Sequence, residues 1–270
     1  MDALLQFGFL QRALLAGVFI AVACAVLGVF LVLRRDAMIG DGLSHVAFAG
    51  VALGLVLNVL PLAAALVVSV AGALAITRLK ARAGLHGDTA IGIYSSLGMA
   101  VGILLATLAG DFNVDLLTYL FGEILAIEPL EVWLSLALAG VVIAAVAARY
   151  SMLMFMTFDR ESARASGVAV GRLDALLTVL TAVTVVLGMK VVGILLVAAL
   201  VVIPAAAGLQ AAASFRKAVF ISSAVSVFSV VLGLGFALAL DIPASAAIVI
   251  LAFLAFAGFA LFNRRRKGLL

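Results

Sequence analysis

Charged residues are scarce in this chain, and their scarcity excludes an ordinary water-soluble protein. Only 11% of the 270 residues are charged, where a soluble domain carries about 25%. Cysteine occurs once, at Cys24, so no disulfide forms within the chain. The phosphate-binding sequence G-x-x-x-x-G-K followed by Ser or Thr is missing, which argues against an ATPase. With two histidines and no H-E-x-x-H motif, a zinc protease is also excluded.

Apolar residues, by contrast, make up 67% of the chain, and the mean hydropathy is +1.39. Apolar runs of about 18 or more residues recur along its whole length, each long enough to cross ~30 Å of hydrocarbon. Within lipid the backbone must satisfy its own hydrogen bonds, which leaves helices or a closed barrel. The runs do not alternate with a period of two, as barrel strands do. The sequence therefore predicts an all-α polytopic membrane protein.

The basic residues predict which ends of the spans face the cytoplasm. Of the 17 Lys and Arg residues, 15 fall into five clusters separated by apolar runs, and cytoplasmic loops collect such residues. Separation by spans argues against a nucleic-acid-binding patch. The clusters are Arg34–Arg35; Arg78, Lys80 and Arg82; Arg149, Arg160, Arg164 and Arg172; Arg216–Lys217; and Arg264–Lys267. The acids between them are predicted to lie outside: Asp111, Asp115, Glu123, Glu128, Glu131 and Asp241.

Neighbouring basic clusters require an even number of crossings between them, which predicts eight or nine transmembrane helices in a single domain, residues 1–270. The first run is interpreted as an uncleaved span, because it continues to Arg34. An outer segment, 110–131, is predicted to be a short or re-entrant helix, and about 149–173 is the longest cytoplasmic loop. The predicted spans are 13–33, 38–58, 62–79, 89–109, 132–148, 174–189, 192–209, 218–240 and 243–262.

Two ionisable residues in the second span form the candidate site. Asp41 and His45 are four residues apart, so they share a helix face. If the helix starts at Arg35, they lie ~9 Å and ~15 Å above it. Ionisable groups within spans usually face a protein or water-filled interior, and carboxylate with imidazole suits zinc, manganese or iron. One chain offers two metal ligands, and a two-fold dimer offers four. The alternative to a metal site is a structural hydrogen bond between Asp41 and His45, or a later helix start that places Asp41 at the N-cap.

The remaining ionisable residues carry less specific signals than the Asp41–His45 pair. Asp115 and Glu123 are candidate acids of an outer funnel that attracts cations, although surface acids are common. His86 is predicted to be a solvated loop histidine, and Asp36 a helix-start residue. In the cytoplasmic loop, "ESARASG" (161–167) predicts a short amphipathic helix that ends at a glycine and could dock into an ATPase.

These motifs together resemble the integral permeases of the zinc, manganese and iron ATP-binding-cassette (ABC) importers. "RRDAMIGDGLSHVAFAGVALG" (34–54) is similar to the family's signature. Similar blocks are "VDLLTYLFGEILAI" (114–127), "VGILLVAALVVIPAAAG" (192–208) and "DIPASAAIV" (241–249). The resemblance covers nearly the whole chain, and "ESARASG" is similar to the coupling motif, which Glu161 and Gly167 match.

The resemblance implies the metal-type ABC importer permease fold in a bacterial cytoplasmic (inner) membrane. It implies a homodimer or closely related pair, a cytosolic ATPase dimer that uses ATP, and an extracytoplasmic metal-binding protein. The permease itself is then no enzyme and holds no permanent cofactor. Asp41 and His45 match positions that line the metal path. Zinc is favoured slightly over manganese or iron, although Tyr94-Ser95-Ser96 stand where zinc-type members often carry histidine.

Three alternatives remain open at the level of sequence. A secondary transporter would use Asp41 and His45 as a proton relay and need no ATPase. An intramembrane enzyme would use them as an acid–base pair, but no nucleophile motif accompanies them. A permease for cobalamin or siderophores would need a wide apolar path instead of paired ionisable ligands.

Overall fold

The computed structural model describes residues 8–83, 87–108, 122 and 127–267, and within these ranges the chain forms helices and no strand. The predicted sites Asp115, Glu123, Asp111 and His86, and most of segment 110–131, lie outside the described residues. The helices are α1 Gly8–Leu33, α2 Ile39–Val56, α3 Pro61–Ala83, α4 Gly87–Leu108, α5 Pro129–Ala148, α6 Tyr150–Phe158, α7 Arg160–Ala165, α8 Val170–Val192, α9 Ile194–Ala211, α10 Phe215–Leu240 and α11 Ala244–Lys267.

Eight of these helices are long and apolar enough to cross a membrane, and α9 is a further apolar helix of 18 residues. The basic clusters before α8 and after α9 demand that α9 also returns across the membrane. The prediction of an all-α protein with eight or nine spans is confirmed, and the helices begin and end within a few residues of the predicted bounds.

Burial separates central helices from peripheral ones. Most residues of α1, α2 and α8 are buried, whereas α3, α4, α5, α10 and α11 bury less than half of theirs. The peripheral helices expose large apolar side chains, among them Leu108, Trp133 and Phe220. Because lipid is as apolar as a protein core, such exposure costs little in a membrane. The helix that carries Asp41 and His45 is therefore an interior element of the fold.

Small residues allow α2 to approach its two neighbours closely. Gly50 and Gly54 of α2 lie against the backbone of α3, at Ala65 and Pro61. On the other side, Gly98 of α4 lies against the backbone of α2. Gly50 and Gly54 of α2, like Gly98 and Gly102 of α4, have the G-x-x-x-G spacing that allows close helix packing in membranes.

The outer ends of two spans are joined by an ion pair. Lys190, near the end of α8, pairs with Glu131 in the first turn of α5. Glu128 and Glu131 also form a capping box at the start of α5, where the N3 carboxylate accepts from the N-cap backbone N–H at 3.0 Å. This contact places the start of α5, with Glu128 and Glu131, beside the end of α8, which agrees with the charge pattern that predicts both on the same side of the membrane.

Candidate functional site

The start of α2 is fixed by a tight connection after α1. Arg35 adopts a left-handed conformation with φ 60°, which ends the first span. The Asp36 carbonyl then accepts the Ile39 N–H at 3.0 Å, and α2 begins at Ile39. The helix thus begins one residue after the predicted bound of residue 38, and the depths counted from Arg35, which depended on a helix that starts there, do not apply. Counted from Ile39, Asp41 lies ~3 Å and His45 ~9 Å along the helix.

Asp41 and His45 lie on one face of α2, where neighbouring helices cover them only in part. His45 Nε2 lies 3.8 Å from Asp41 Oδ2. The Asp41 side chain is 47% exposed and that of His45 is 19% exposed. Asp41 is in the first turn of α2 and is not its N-cap, a position that Met38 occupies. The predicted pair on one helix face is confirmed as a geometric arrangement.

Both side chains keep unused hydrogen-bonding capacity. The separation of 3.8 Å is too long for a hydrogen bond, so a structural Asp–His bond is absent here. His45 Nδ1 is buried and has no hydrogen-bond partner within the described ranges. Buried polar atoms are normally paired, and an unpaired one calls for an explanation. The pair is thus open to a ligand.

The backbone of α4 holds His45 in place. A Cβ atom added at Gly98 would lie 2.9 Å from the carbonyl carbon and oxygen of His45 and from the amide nitrogen of Val46. The two helices therefore approach each other backbone to backbone at His45. Tyr94, one turn earlier on α4, is half-buried and lines a groove of about 300 Å³ together with Val46.

The donor atoms suit a divalent transition-metal ion. Ligands about 2.0–2.2 Å from a tetrahedral metal lie ~3.4 Å from each other, so a small side-chain rotation would bring the pair onto one ion. No group of three His, Cys, Asp or Glu side chains within the described residues could hold a metal. A single chain therefore presents a two-ligand half-site, partly open to its surroundings.

A network of charged residues at the cytoplasmic end of α2 was not predicted. Asp36, interpreted as a helix-start residue, accepts from Lys80 of α3 at 2.6 Å and lies 3.5 Å from Arg34. Asp174 of α8 pairs with both Arg34 and Arg160. Asp174 is an acid at the start of a span, directly after a basic cluster. That position is the sequence signal that could have found it.

The cytoplasmic loop folds as two short helices, where the sequence predicted one. Apolar helix α6 exposes Met152 and Phe158, and α7 exposes Glu161. Helix α7 ends as predicted: the Val168 N–H donates to Ala163, and Gly167 takes φ +83°. These contacts form a Schellman motif, which glycine favours.

The start of α7 depends on a carboxylate. Asp159 is its N-cap and accepts the Ser162 backbone N–H at 2.9 Å. Hydrogen bonds from the Ser162 side chain and then from its backbone hold the pKa of Asp159 below its ordinary value. The helix is thereby anchored at both ends, with Glu161 and Gly167 lying on the same small element.

Known proteins resemble the chain in both sequence and structure. The manganese transport system membrane protein MntC of Halalkalibacterium halodurans is 32% identical over 70% of this chain and 65% of its own length. The high-affinity zinc uptake system membrane protein ZnuB of Haemophilus influenzae is 34% identical over 68% of this chain and 71% of its own. The match to MntC thus spans a little less than two thirds of that relative.

A solved structure shares the fold almost completely. PsaBC from Streptococcus pneumoniae, in complex with Fab, aligns with a TM-score of 0.85 and 31% identity over 96% of this chain and 93% of its own. The apolar spans and the bacterial relatives identify a multi-pass protein of the bacterial inner membrane, as predicted. The ABC 3 transport family (ABC-3) matches residues 6–263. The chain therefore belongs to the ABC-3 family of transport proteins, as the resemblance of its motifs implied.

Proposed function

We propose that this chain is the permease subunit of an ATP-driven importer of divalent transition-metal ions, and that Asp41 and His45 bind the passing ion. The observation that carries the proposal is the open carboxylate–imidazole pair on a buried helix, 3.8 Å apart. Ionisable residues within membrane spans carry a free-energy cost of insertion, and they usually have a function. The relatives named for manganese and zinc transport support the same substrate class.

Two copies of the chain complete the metal site. The described residues of one chain offer no third ligand, and the exposed Asp41 side chain points away from its own core. A two-fold axis beside α2 brings together two aspartates and two histidines, which is a four-ligand set. We therefore assign a homodimer, in which the ion passes between the two α2 helices.

Partner proteins supply the energy and the substrate. The exposed apolar side chains of α6 and the exposed Glu161 of α7 form a cytoplasmic surface that fits an ATPase groove. Apolar patches rimmed by charge mark interaction sites. ATP binds on that separate ATPase dimer, and an extracytoplasmic metal-binding protein delivers the ion. The outer acids Asp115 and Glu123 stay predicted contributors to the entrance.

Zinc is the slightly favoured ion, with manganese next and iron as the third candidate. One carboxylate and one imidazole per chain suit each of these borderline ions. No histidine accompanies the site from α4, where Tyr94, Ser95 and Ser96 stand. A site made of carboxylate oxygens and imidazole nitrogens binds several divalent ions, so coordination geometry and metal availability decide which ion is transported. The transport assay therefore measures both zinc and manganese.

Uptake by the reconstituted importer tests the proposal. The dimer is placed in liposomes with its ATPase and binding protein, and entry of radiolabelled zinc and manganese is followed with and without ATP. We expect ATP-dependent uptake that Asp41→Asn and His45→Gln abolish, since each removes half of the donor set. Asp88→Asn, at an exposed position in the first turn of α4, is the matched control and leaves uptake unchanged.

The opposite results are equally clear. Uptake by the permease alone, driven by a proton gradient, would identify a secondary transporter and refute the ATP-driven mechanism. Normal uptake in both site variants would remove Asp41 and His45 from the metal path while leaving the family assignment untouched.

A further inference from the structure

The buried charges at the cytoplasmic end of the molecule form one continuous chain across four segments. In order they alternate in sign: cation, acid, cation, acid, cation. The members are Arg160 of α7, Asp174 of α8, Arg34 and Asp36 of the α1–α2 connection, and Lys80 of α3. We call this set the charge relay.

The central members of the charge relay are shielded from water. The side chains of Arg34 and Asp174 are only 7% and 10% exposed, whereas Arg160 at the α7 end is 49% exposed. Electrostatic interactions strengthen as solvent is excluded, so displacement of one buried partner is strongly felt by the next. The exposed end lies on the helix that faces the cytoplasm, and the shielded part lies beneath α2.

The charge relay ends at the backbone of the metal-binding helix. The Asp36 side chain binds Lys80 at 2.6 Å, while the Asp36 carbonyl accepts the first hydrogen bond of α2 from Ile39 at 3.0 Å. Asp41 follows two residues after Ile39. A shift of Asp36 therefore moves the first turn of α2, where the carboxylate of the proposed site is located.

Two features of this connection are energetically unfavourable in the arrangement described, and such strain is typical of switch regions. Arg35, between the two relay members, holds a left-handed φ of 60°, which is strained for a residue with a side chain. Arg34 Nη1 is buried and finds no hydrogen-bond partner in the described part of the chain. This donor would gain an acceptor if a movement of the connection brought one within hydrogen-bond distance.

We propose that the charge relay couples the movement of α7 to the first turn of α2. Through this coupling, ATP binding and hydrolysis on the ATPase change the affinity of Asp41 and His45 for the ion. This inference rests on the proposed function, in which α7 contacts the ATPase. Its members do not touch the ion; they act through the backbone of α2.

Two variants open the charge relay at different points. Asp174→Asn removes the charge that binds both Arg34 and Arg160. Arg160→Gln removes only the exposed end and leaves the buried members intact, so it folds even if the first variant does not. Asp88→Asn and Lys217→Gln are the matched controls, because both residues are exposed at cytoplasmic helix starts. Arg160→Lys keeps the cation and should restore part of the coupling.

Transport per ATP hydrolysed is the first measurement. In the reconstituted complex we expect Asp174→Asn and Arg160→Gln to lower the number of ions imported per ATP by about tenfold, while ATP hydrolysis continues. Equilibrium binding of zinc to the site stays within twofold of wild type, because Asp41 and His45 are unaltered. A purely structural role would instead lower hydrolysis, binding and assembly together, and that result would overturn the proposal.

Hydrogen exchange gives a measurement that does not depend on the cargo. We expect trapping of the ATPase with ATP and vanadate to alter amide exchange at residues 36–45 in wild type and both controls, and to leave it unaltered in Arg160→Gln. An equal response in Arg160→Gln would refute the charge relay. If the wild-type complex moves no metal yet shows this response, the proposed metal transport fails, while the mechanical coupling of α7 to the first turn of α2 is supported.

Discussion

The contact between Gly98 and the backbone of His45 yields the most exacting prediction about the metal site. In Gly98→Ala the new methyl group would lie 2.9 Å from three backbone atoms of α2. Carbon atoms in favourable contact are ~3.5 Å apart or more, so α2 and α4 must separate by about 0.6 Å. Binding sites tolerate displacements of about 0.5 Å before their geometry is lost.

The cost of that separation can be estimated. Overpacking of a tight contact typically costs about 1–3 kcal/mol, and about 1.4 kcal/mol corresponds to a tenfold change in affinity. Relief of this strain displaces His45, and if the displacement removes about 1.4 kcal/mol of the metal-binding free energy, zinc or manganese binding weakens by about tenfold. The backbone atoms offer no rotamer into which they could retreat, so relaxation must move the whole helix.

Gly92→Ala is the matched control for this prediction. Gly92 lies on the same helix, is exposed, and has nothing within 4 Å of its added Cβ. Calorimetric metal titration of the purified dimer compares the two variants with wild type. Equal affinity in Gly98→Ala and Gly92→Ala would show that the α2–α4 contact does not position His45, and the reasoning would fail.

Three further predictions concern the cytoplasmic loop and the site. Gly167→Ala should destabilise the end of α7 by about 1–2 kcal/mol, because Gly167 has a left-handed φ that alanine adopts only with strain. The control Gly171→Ala, in open space within α8, should leave stability unchanged or raise it. The thermal unfolding temperatures of the two variants and of wild type test this difference. Because the pKa of Asp159 is lowered in the folded state, its capping contribution is full above its ordinary pKa and is lost as the pH falls through the lowered pKa. The protection factor of the Ser162 amide, which corrects the exchange rate for its intrinsic pH dependence, should therefore fall in acid, and Asp159→Ala should remove this change. An equal pH profile of the protection factor in both proteins would contradict the cap. Metal binding should weaken in acid, since ligation requires a neutral imidazole and an ionised carboxylate, and a metal affinity that does not change with pH would contradict this ligand set.

Much of the architecture could be predicted from the sequence because the membrane simplifies the physics. Hydrophobic length sets each span, and the basic clusters set its direction, so the spans were predicted with small errors at their ends. The relation of Asp41 to His45 followed from helical periodicity alone. The end of the cytoplasmic helix at Gly167 was also predicted from local sequence, because the left-handed residue that follows a helix is usually glycine.

What the sequence did not reveal depends on contacts between distant segments. The turn at Arg35 was not predicted, because nothing in the local sequence signals that this residue adopts a left-handed conformation. Asp36 was interpreted as a helix-start acid, because its partner Lys80 lies 44 residues away in the sequence and gives no local signal. Asp174 meets Arg34 across 140 residues. Such pairings arise from helix packing and have no periodic signature.

The central claim is that Asp41 and His45 of two chains hold one ion between them. Anomalous X-ray diffraction from crystals of the importer grown with manganese measures this directly. The account predicts a single strong peak on the two-fold axis, bounded by both aspartates and both histidines. A peak at another position in the permease, or Asp41 and His45 directed toward lipid with no ion between them, would contradict it.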